Sequence, residues 1–222
     1  MYVTKFRGFQ LDSEGSLFSF FKQNQYTLIE ARIPKGGIKV LIEDLALHQK
    51  STIDILHITS WDVDHCSYNE LVQILNKFRP SLIQVPHYQP ETEEGKLCSG
   101  IIFKYDAIHQ RYVHNVQVVS RDFINSLPSA QSMSIADVLY HSAYDEPVKN
   151  DMSLIRLFRS EGFNVFSLGD CESEELSKIL QRDTILRAEV DVLILPHHGA
   201  DNGFTSGEFL DAINPKIAIC SR

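Results

Sequence analysis

The segment Thr59-Ser60-Trp61-Asp62-Val63-Asp64-His65 sets two carboxylates and an imidazole within four residues, directly after the apolar run Ile53 to Ile58. A buried strand ending there would let those side chains emerge together. Hard carboxylate oxygens with a neutral imidazole nitrogen suit a divalent ion such as Mn²⁺ or Zn²⁺. An ion of this kind lowers the pKa of a bound water and polarises a phosphoryl or carbonyl group, so the expected chemistry is hydrolysis. Two later segments carry donors of the same types, Gly169-Asp170 and Pro196-His197-His198-Gly199.

Each of these groups also has a plainer reading. Asp62, Asp64 and His65 could form a solvated turn that caps the next helix, and Asp170 could cap a helix starting near Glu172. If the chain is extended at His197 and His198, their side chains point apart and one of them at most is a metal ligand; the other holds a neighbour or donates a proton. His141 closes an apolar run and reads equally as a ligand or as an ordinary strand-end histidine. His57 and His87 read as packing or surface residues, and Asp201 and Asn202 as a polar loop.

The elements that must position these groups alternate along the chain. Tyr2 to Phe9, Ser16 to Phe21 and Tyr26 to Arg32 read as strands separated by turn residues. Ile38, Leu41, Ile42, Leu45 and Ala46 recur at helical spacing and predict one buried helix face. A strand follows at 53 to 58. Leu71, Ile74, Leu75 and Phe78 predict a second helix ended by Pro80, and Ser81 to Pro86 a strand. Pro90 to Gly95 reads as a solvated loop and Ile101 to Tyr112 as a helix, with little else legible before Gln131. Strands are then expected at Ala136 to His141, Ser153 to Phe158, Asn164 to Leu168, Val190 to Leu195 and Lys216 to Cys220. Helices are expected at Glu172 to Gln181, with Leu176, Ile179 and Leu180 inward, and around Gly207 to Ile213.

With 222 residues and 43% hydrophobic content the chain can bury a sizeable core. No linker-like stretch divides it, so one domain over 1–222 is expected. It has no apolar run of the roughly 20 residues that span a bilayer, and the amino end lacks a signal-peptide core, which predicts a soluble, cytoplasmic protein without a membrane partner. Cys66, Cys98, Cys171 and Cys220 form no CxxC pair and read as free thiols. A net charge of -8 argues against broad electrostatic attraction to nucleic acid. It does not exclude a phosphodiester substrate, because bound cations cancel local negative charge.

The order of these motifs resembles that of metallo-β-lactamase-fold hydrolases, and most of all the soluble hydrolase domain of ComEC-type competence proteins, from Phe6 to the last residue. Members typically carry an acidic turn that Leu28-Ile29-Glu30 resembles, followed by H-x-D-x-D-H, here Ser60 to His65. A strand-end histidine ahead of an N-x-S strand comes next, here His141 with Asn150-Asp151-Met152-Ser153. Gly169-Asp170 and Pro196 to Gly199 complete the series. The chain departs from the pattern at Ser60, which stands where the family has the first histidine. It also has Trp61 at a usually small or Pro position, and Cys66-Ser67-Tyr68-Asn69 where glycines are usual. Relatives continue to a further Gly-His-Pro segment, whereas this sequence stops at Ile219-Cys220-Ser221-Arg222, so the expectation is a longer natural chain or a missing corner.

The resemblance implies an α/β (α+β) fold, a four-layer αββα sandwich of two mixed sheets with helices outside. It implies one or two divalent ions, Mn²⁺ or Zn²⁺. Asp64 and His65 would hold one of them, with Asp170 bridging; Asp62, His141 and one of His197 and His198 would contribute to a second position, weakened by Ser60. Asp64, His65, Asp170 and His198 are the expected catalytic set. The implied activity is that of a phosphodiesterase, a nuclease acting on DNA. Two alternatives stand beside it: hydrolysis of a small ester or cyclic nucleotide on the same fold, or a degenerate subunit that binds a protein partner in a bacterial multi-protein system such as antiviral defence.

Overall fold

A computed structural model describes residues 3–109, 115–131, 134–142 and 148–221. The chain divides into two compact units, Met1–Val119 and Ser120–Arg222. Among the described residues no helix is long and apolar enough to cross a membrane.

The first unit holds a six-stranded sheet in the order β1-β2-β3-β4-β5-β6. Its strands are β1 (Lys5–Gly8), β2 (Phe18–Lys22), β3 (Gln25–Ile29), β4 (Ile55–His57), β5 (Leu82–Pro86) and β6 (Val116–Val119). The first three form an antiparallel meander. The β2–β3 hairpin closes on Gln23 and Asn24, both left-handed with φ 47° and 65°, the backbone that a two-residue turn needs to match strand twist. From β3 onward the strands are parallel, so each connection must cross over, and helices supply the crossovers. These are α1 (Ile38–Leu47), α2 (Tyr68–Phe78) and α3 (Glu93–His109).

Helix α2 buries Leu71, Ile74, Leu75 and Phe78 as the spacing predicts, and ends where Arg79 turns left-handed before Pro80. Helix α1 is rotated from the expected face: Leu41, Asp44 and Leu45 are buried, while Ile42 and Ala46 face solvent. The cause is Asp44, whose carboxylate accepts from Arg7 at 3.0 Å, Ser19 at 3.0 Å and the Tyr26 hydroxyl at 2.6 Å. A carboxylate with three donors is satisfied inside, and it turns its own helix face inward. Helix α3 begins inside the stretch that reads as a solvated loop. Glu93 and Glu94 there favour a helix N-terminus electrostatically, and Thr92 Oγ1 accepts from the Gly95 amide at 3.1 Å. Residues 110–112 of the expected helix lie outside the described residues, as does Tyr2 of the first strand.

The second unit carries a five-stranded sheet in the order β11-β10-β9-β8-β7. Its strands are β7 (Val138–Tyr140), β8 (Ile155–Phe158), β9 (Val165–Ser167), β10 (Val192–Ile194) and β11 (Ile217–Ile219). It repeats the plan of the first unit: β7, β8 and β9 are antiparallel, then β9, β10 and β11 are parallel. Its helices are α4 (Arg121–Ser126), α5 (Glu174–Leu180), α6 (Thr184–Glu189) and α7 (Gly207–Ile213). The core gathers Leu157, Phe166, Leu193, Phe204, Phe209 and Ile213.

The strand β6 and helices α4 and α6 were not expected from sequence. In α6, Asp183 Oδ1 accepts from the amides of Ile185 and Leu186 at 2.8 and 2.9 Å, a cap that stabilises a six-residue helix. Ile179 of α5, expected inward, is 57% exposed. The inward face is Leu176, Ser177 and Leu180, and Ser177 Oγ donates to the Phe204 carbonyl at 2.7 Å. The four cysteines are free, as expected, with Cys66, Cys98 and Cys171 buried and Cys220 exposed.

Candidate metal centre

In the first unit β3 and β4 are parallel neighbours, so the chain leaves both at the same edge of the sheet. Glu30 follows β3, and Thr59 to His65 follow β4. The loop is sewn back onto the chain after β3 by main-chain bonds: the Glu30 amide donates to His57 O at 2.8 Å and the Ala31 amide to His65 O at 2.8 Å. From the other side the Ser16 amide donates to Asp64 O at 3.1 Å. Gly15, at φ 138°, lets the segment ahead of β2 approach: a Cβ there would lie 2.4 Å from Asp64 O.

The buried Glu30 carboxylate organises this edge. It accepts from the Thr59 hydroxyl at 2.6 Å and the Thr59 amide at 3.0 Å, and its Oε1 lies 3.2 Å from His65 Nδ1. Thr59 Oγ1 is also 3.2 Å from Nδ1, but its one proton is spent on Glu30. Nδ1 therefore faces acceptors and carries the proton. In the neutral ring this leaves the lone pair on Nε2, the tautomer a metal ligand requires, with a carboxylate behind it. Asp64, next in sequence to His65, is partly buried. Beside it opens a cleft of about 720 Å³ whose lining includes Glu14, Arg32, Asp62, Asp64 and Glu94. Arg32 is committed to structure, donating to Glu70, the Glu14 carbonyl and Ser13 at 2.9, 2.9 and 2.6 Å.

The second unit repeats this use of parallel strand ends. Gly169-Asp170 follow β9, Pro196 to Gly199 follow β10, and Cys220-Ser221 follow β11. The His197 amide donates to Gly169 O at 3.0 Å, tying two of these ends together. Asp170 is buried, and its amide donates to Ser153 Oγ at 3.2 Å. Its side chain does not cap α5. Ser173 does, with Asp151 Oδ1 accepting from the Glu172 and Ser173 amides at 2.7 and 2.6 Å. Asp62 likewise does not cap α2, whose N-cap position is Ser67.

His197 and His198 are not extended. Both are left-handed within a short 3-10 turn, φ 45° and 55°, so the expectation drawn from strand alternation does not apply to them. Their rings lie 6.2 Å apart at 62°. His197 Nδ1 meets Glu172 Oε1. His198 Nδ1 lies 3.1 Å from Ser221 Oγ, and the Cys220 thiol donates to His198 O at 2.9 Å. Among the described residues eight non-glycine positions have positive φ. Five of them, Gln23, Asn24, Gln49, Arg79 and Asn214, sit in the hairpin turn or just past a helix end. The remaining three, Glu30, His197 and His198, stand just past the parallel strands β3 and β10, where a left-handed backbone is costly for a residue other than glycine.

His141, just past β7, is exposed. Partial burial and the nearby Arg121 charge hold its imidazole below the usual histidine value. His57 is buried with Nδ1 3.1 Å from Gln84 Oε1, a packing role as read from sequence. Asn202 Oδ1 accepts from the Phe204 amide at 3.1 Å within its own loop. Sequence reasoning did not reach Tyr88, Glu172 or Ser221. Tyr88 and Ser221 each stand two residues past a parallel strand, β5 and β11, and that position was the available signal.

No protein-family profile matches the sequence, and comparison with curated proteins finds no match. Solved structures do match in fold. Human tRNase Z, short form, superposes with a TM-score of 0.51 at 15% identity, covering 97% of this chain and 92% of that one. Igni18, a metallo hydrolase of Ignicoccus hospitalis, gives 0.51 at 14% identity, with 97% and 81% covered. These similarities show the fold, that of the metallo-β-lactamases. A CmlA β-hydroxylase mutant gives 0.56 at 15% identity, covering 97% of this chain and 44% of that one. The metallo-β-lactamase fold thus carries both hydrolase and hydroxylase names, and the chemistry must be argued from the side chains.

Proposed function

We propose that this chain is a metal-dependent phosphodiesterase, a nuclease acting on DNA, whose metal ligands are Asp64 and His65 in the first unit and Asp170 and His198 in the second. Each of the four offers one donor atom, a carboxylate oxygen or an imidazole nitrogen. The observation that carries the reading is the Glu30–Thr59–His65 network, which fixes the His65 tautomer with Nε2 as the lone-pair nitrogen beside Asp64. Two carboxylates and two imidazoles suit Mn²⁺ or Zn²⁺. When bound, such an ion supplies Lewis acidity toward a phosphoryl oxygen and an activated water.

The chain's own residues supply positioning. Glu30 and Thr59 hold His65, Ser153 holds the Asp170 backbone, and Ser221 and the Cys220 thiol hold His198. His197, against Glu172, holds its neighbour in the turn. The cleft beside Asp64 gives room for a substrate, and its lining carries four carboxylates, Glu14, Asp62, Asp64 and Glu94, against one arginine. With that lining and a net charge of -8, a phosphodiester can approach only with a cation in place, so activity is strictly metal-dependent on this reading. The name of the human tRNase Z, on the same fold, supports a nucleic-acid phosphodiester, though it names an RNA where DNA is proposed here.

Elemental analysis tests the ligand set. Asp64→Asn and Asp170→Ala each lower the metal content of the purified protein while circular dichroism is unchanged. Metal content equal to the parent in both variants would refute the assignment.

A further inference from the structure

We propose that the metal centre of this chain is mononuclear, because the place of a second ion is closed by a hydrogen-bond network of Tyr88, Ser60 and Asp62. The proposal rests on the metal-hydrolase reading above and concerns the half of the motif that reading does not use.

These three residues and Trp61, which joins them through its amide, all lie in the first unit, and their protons can be assigned. The Trp61 amide donates to the Tyr88 hydroxyl at 3.2 Å. Ser60 Oγ lies 3.1 Å from the Tyr88 hydroxyl and donates to Asp62 Oδ2 at 3.2 Å, while the Asp62 amide donates back to Ser60 Oγ at 3.2 Å. A hydroxyl has one proton and two acceptor sites, and an ionised carboxylate has no proton to give. The Ser60 proton therefore goes to Asp62. The Ser60–Tyr88 contact must then use the Tyr88 proton, and the Asp62 amide fills the last acceptor site of Ser60.

Ser60 Oγ is saturated: it gives one hydrogen bond and takes two. It has no lone pair left for a cation, and Ser60 itself is fully buried. At His65, by contrast, the polar contacts with Glu30 and Thr59 fall on Nδ1. The network is also anchored in the fold. Trp61 is 3% exposed and Tyr88 7% exposed, and the indole donates to the Tyr88 carbonyl at 2.9 Å. A chain of oriented donors of this kind is mutually reinforcing in a buried setting.

Two consequences follow for the motif. Asp62, which a two-ion site would recruit, spends Oδ2 on Ser60. A histidine at position 60 would need the space that the Tyr88 hydroxyl occupies 3.1 Å from Ser60 Oγ. The second position is therefore occupied by side chains as well as short of a ligand.

The test is titration of the full chain with Mn²⁺, read by calorimetry for stoichiometry and affinity. The parent binds one ion per chain. Asp64→Asn weakens that binding by at least about tenfold, whereas Asp62→Asn, which keeps an acceptor for Ser60, changes it by less than about threefold. Ser60→His still binds one ion. Two ions in the parent, a tenfold loss in Asp62→Asn, or a second ion gained by Ser60→His would each overturn the proposal. A parent that binds none would overturn the metal-hydrolase reading itself and this proposal with it.

Discussion

The Glu30 carboxylate stands 3.2 Å from His65 Nδ1, although the two residues come from the ends of different strands, β3 and β4. The same carboxylate takes both the hydroxyl and the amide of Thr59, so one buried acidic group fixes the ring orientation of the proposed ligand. Loss of such an outer partner typically costs about 10–100-fold in metal affinity. Glu30→Ala is expected to weaken Mn²⁺ binding by a factor in that range, measured by competition with a chelator. Unchanged affinity in a folded variant would show that His65 is not held for a metal.

Two glycines of α3 should respond in opposite directions. A Cβ at Gly100 meets nothing within 4 Å, and alanine is favoured over glycine inside a helix, so Gly100→Ala should stabilise by about 0.5–1 kcal/mol. A Cβ at Gly95 would lie 3.0 Å from the Trp61 carbonyl and 2.9 Å from Pro90 Cβ. Gly95→Ala should therefore destabilise, by about 1–3 kcal/mol, through overpacking. Urea denaturation of the two variants distinguishes these outcomes, and equal shifts would contradict the described seat of α3.

Thiol chemistry separates Cys220 from the rest. Cys66, Cys98 and Cys171 are buried, and burial pushes the Cys66 and Cys171 thiols well above the usual range. A thiol is reactive only as the accessible thiolate. In native protein an aromatic disulfide reagent should label Cys220 quickly and the other three only on unfolding. Rapid labelling of two or more cysteines in the native state would be inconsistent with the packing described.

Alkaline titration reports on two phenols, the buried Tyr26 and the half-buried Tyr140. Burial, with Asp44 beside Tyr26 and Asp183 beside Tyr140, raises both groups far above the ordinary phenol value. A raised folded-state pKa means that their stabilising effect is complete below the unfolded value of about 10 and is lost as pH climbs beyond it. Tyrosinate absorbance should then rise in two stages, the later one coinciding with loss of the circular dichroism signal. A single smooth titration near the ordinary value, with the fold intact, would contradict this.

The positions of the site were legible in sequence because each motif follows an apolar strand, and an apolar run that stops at polar donors shows where a sheet edge begins. That reasoning put the candidate ligands Asp64, His65, Asp170 and the histidine pair in the loops that follow strands, where the structure has them. It did not reach features that depend on distant partners. The rotation of α1 is set by Arg7, Ser19 and Tyr26 gathering on Asp44, none of them close to it in sequence. The start of α3 is favoured by Thr92 and by packing against Trp61, and an acidic, glycine-containing stretch gives no periodic signal of its own. The left-handed turn at His197 and His198 defeats strand alternation, and the Tyr88 hydroxyl beside Ser60 joins residues 28 positions apart.

The measurement that bears most directly on the central claim is cleavage of plasmid and single-stranded DNA, and of a simple aryl phosphodiester, by the full chain in Mn²⁺. The account predicts hydrolysis that a chelator stops, that added Mn²⁺ restores, and that His65→Ala and Asp170→Ala abolish without changing the circular dichroism spectrum. A metal-loaded parent protein that cuts none of these substrates would contradict it and favour the reading of the chain as a partner-binding subunit.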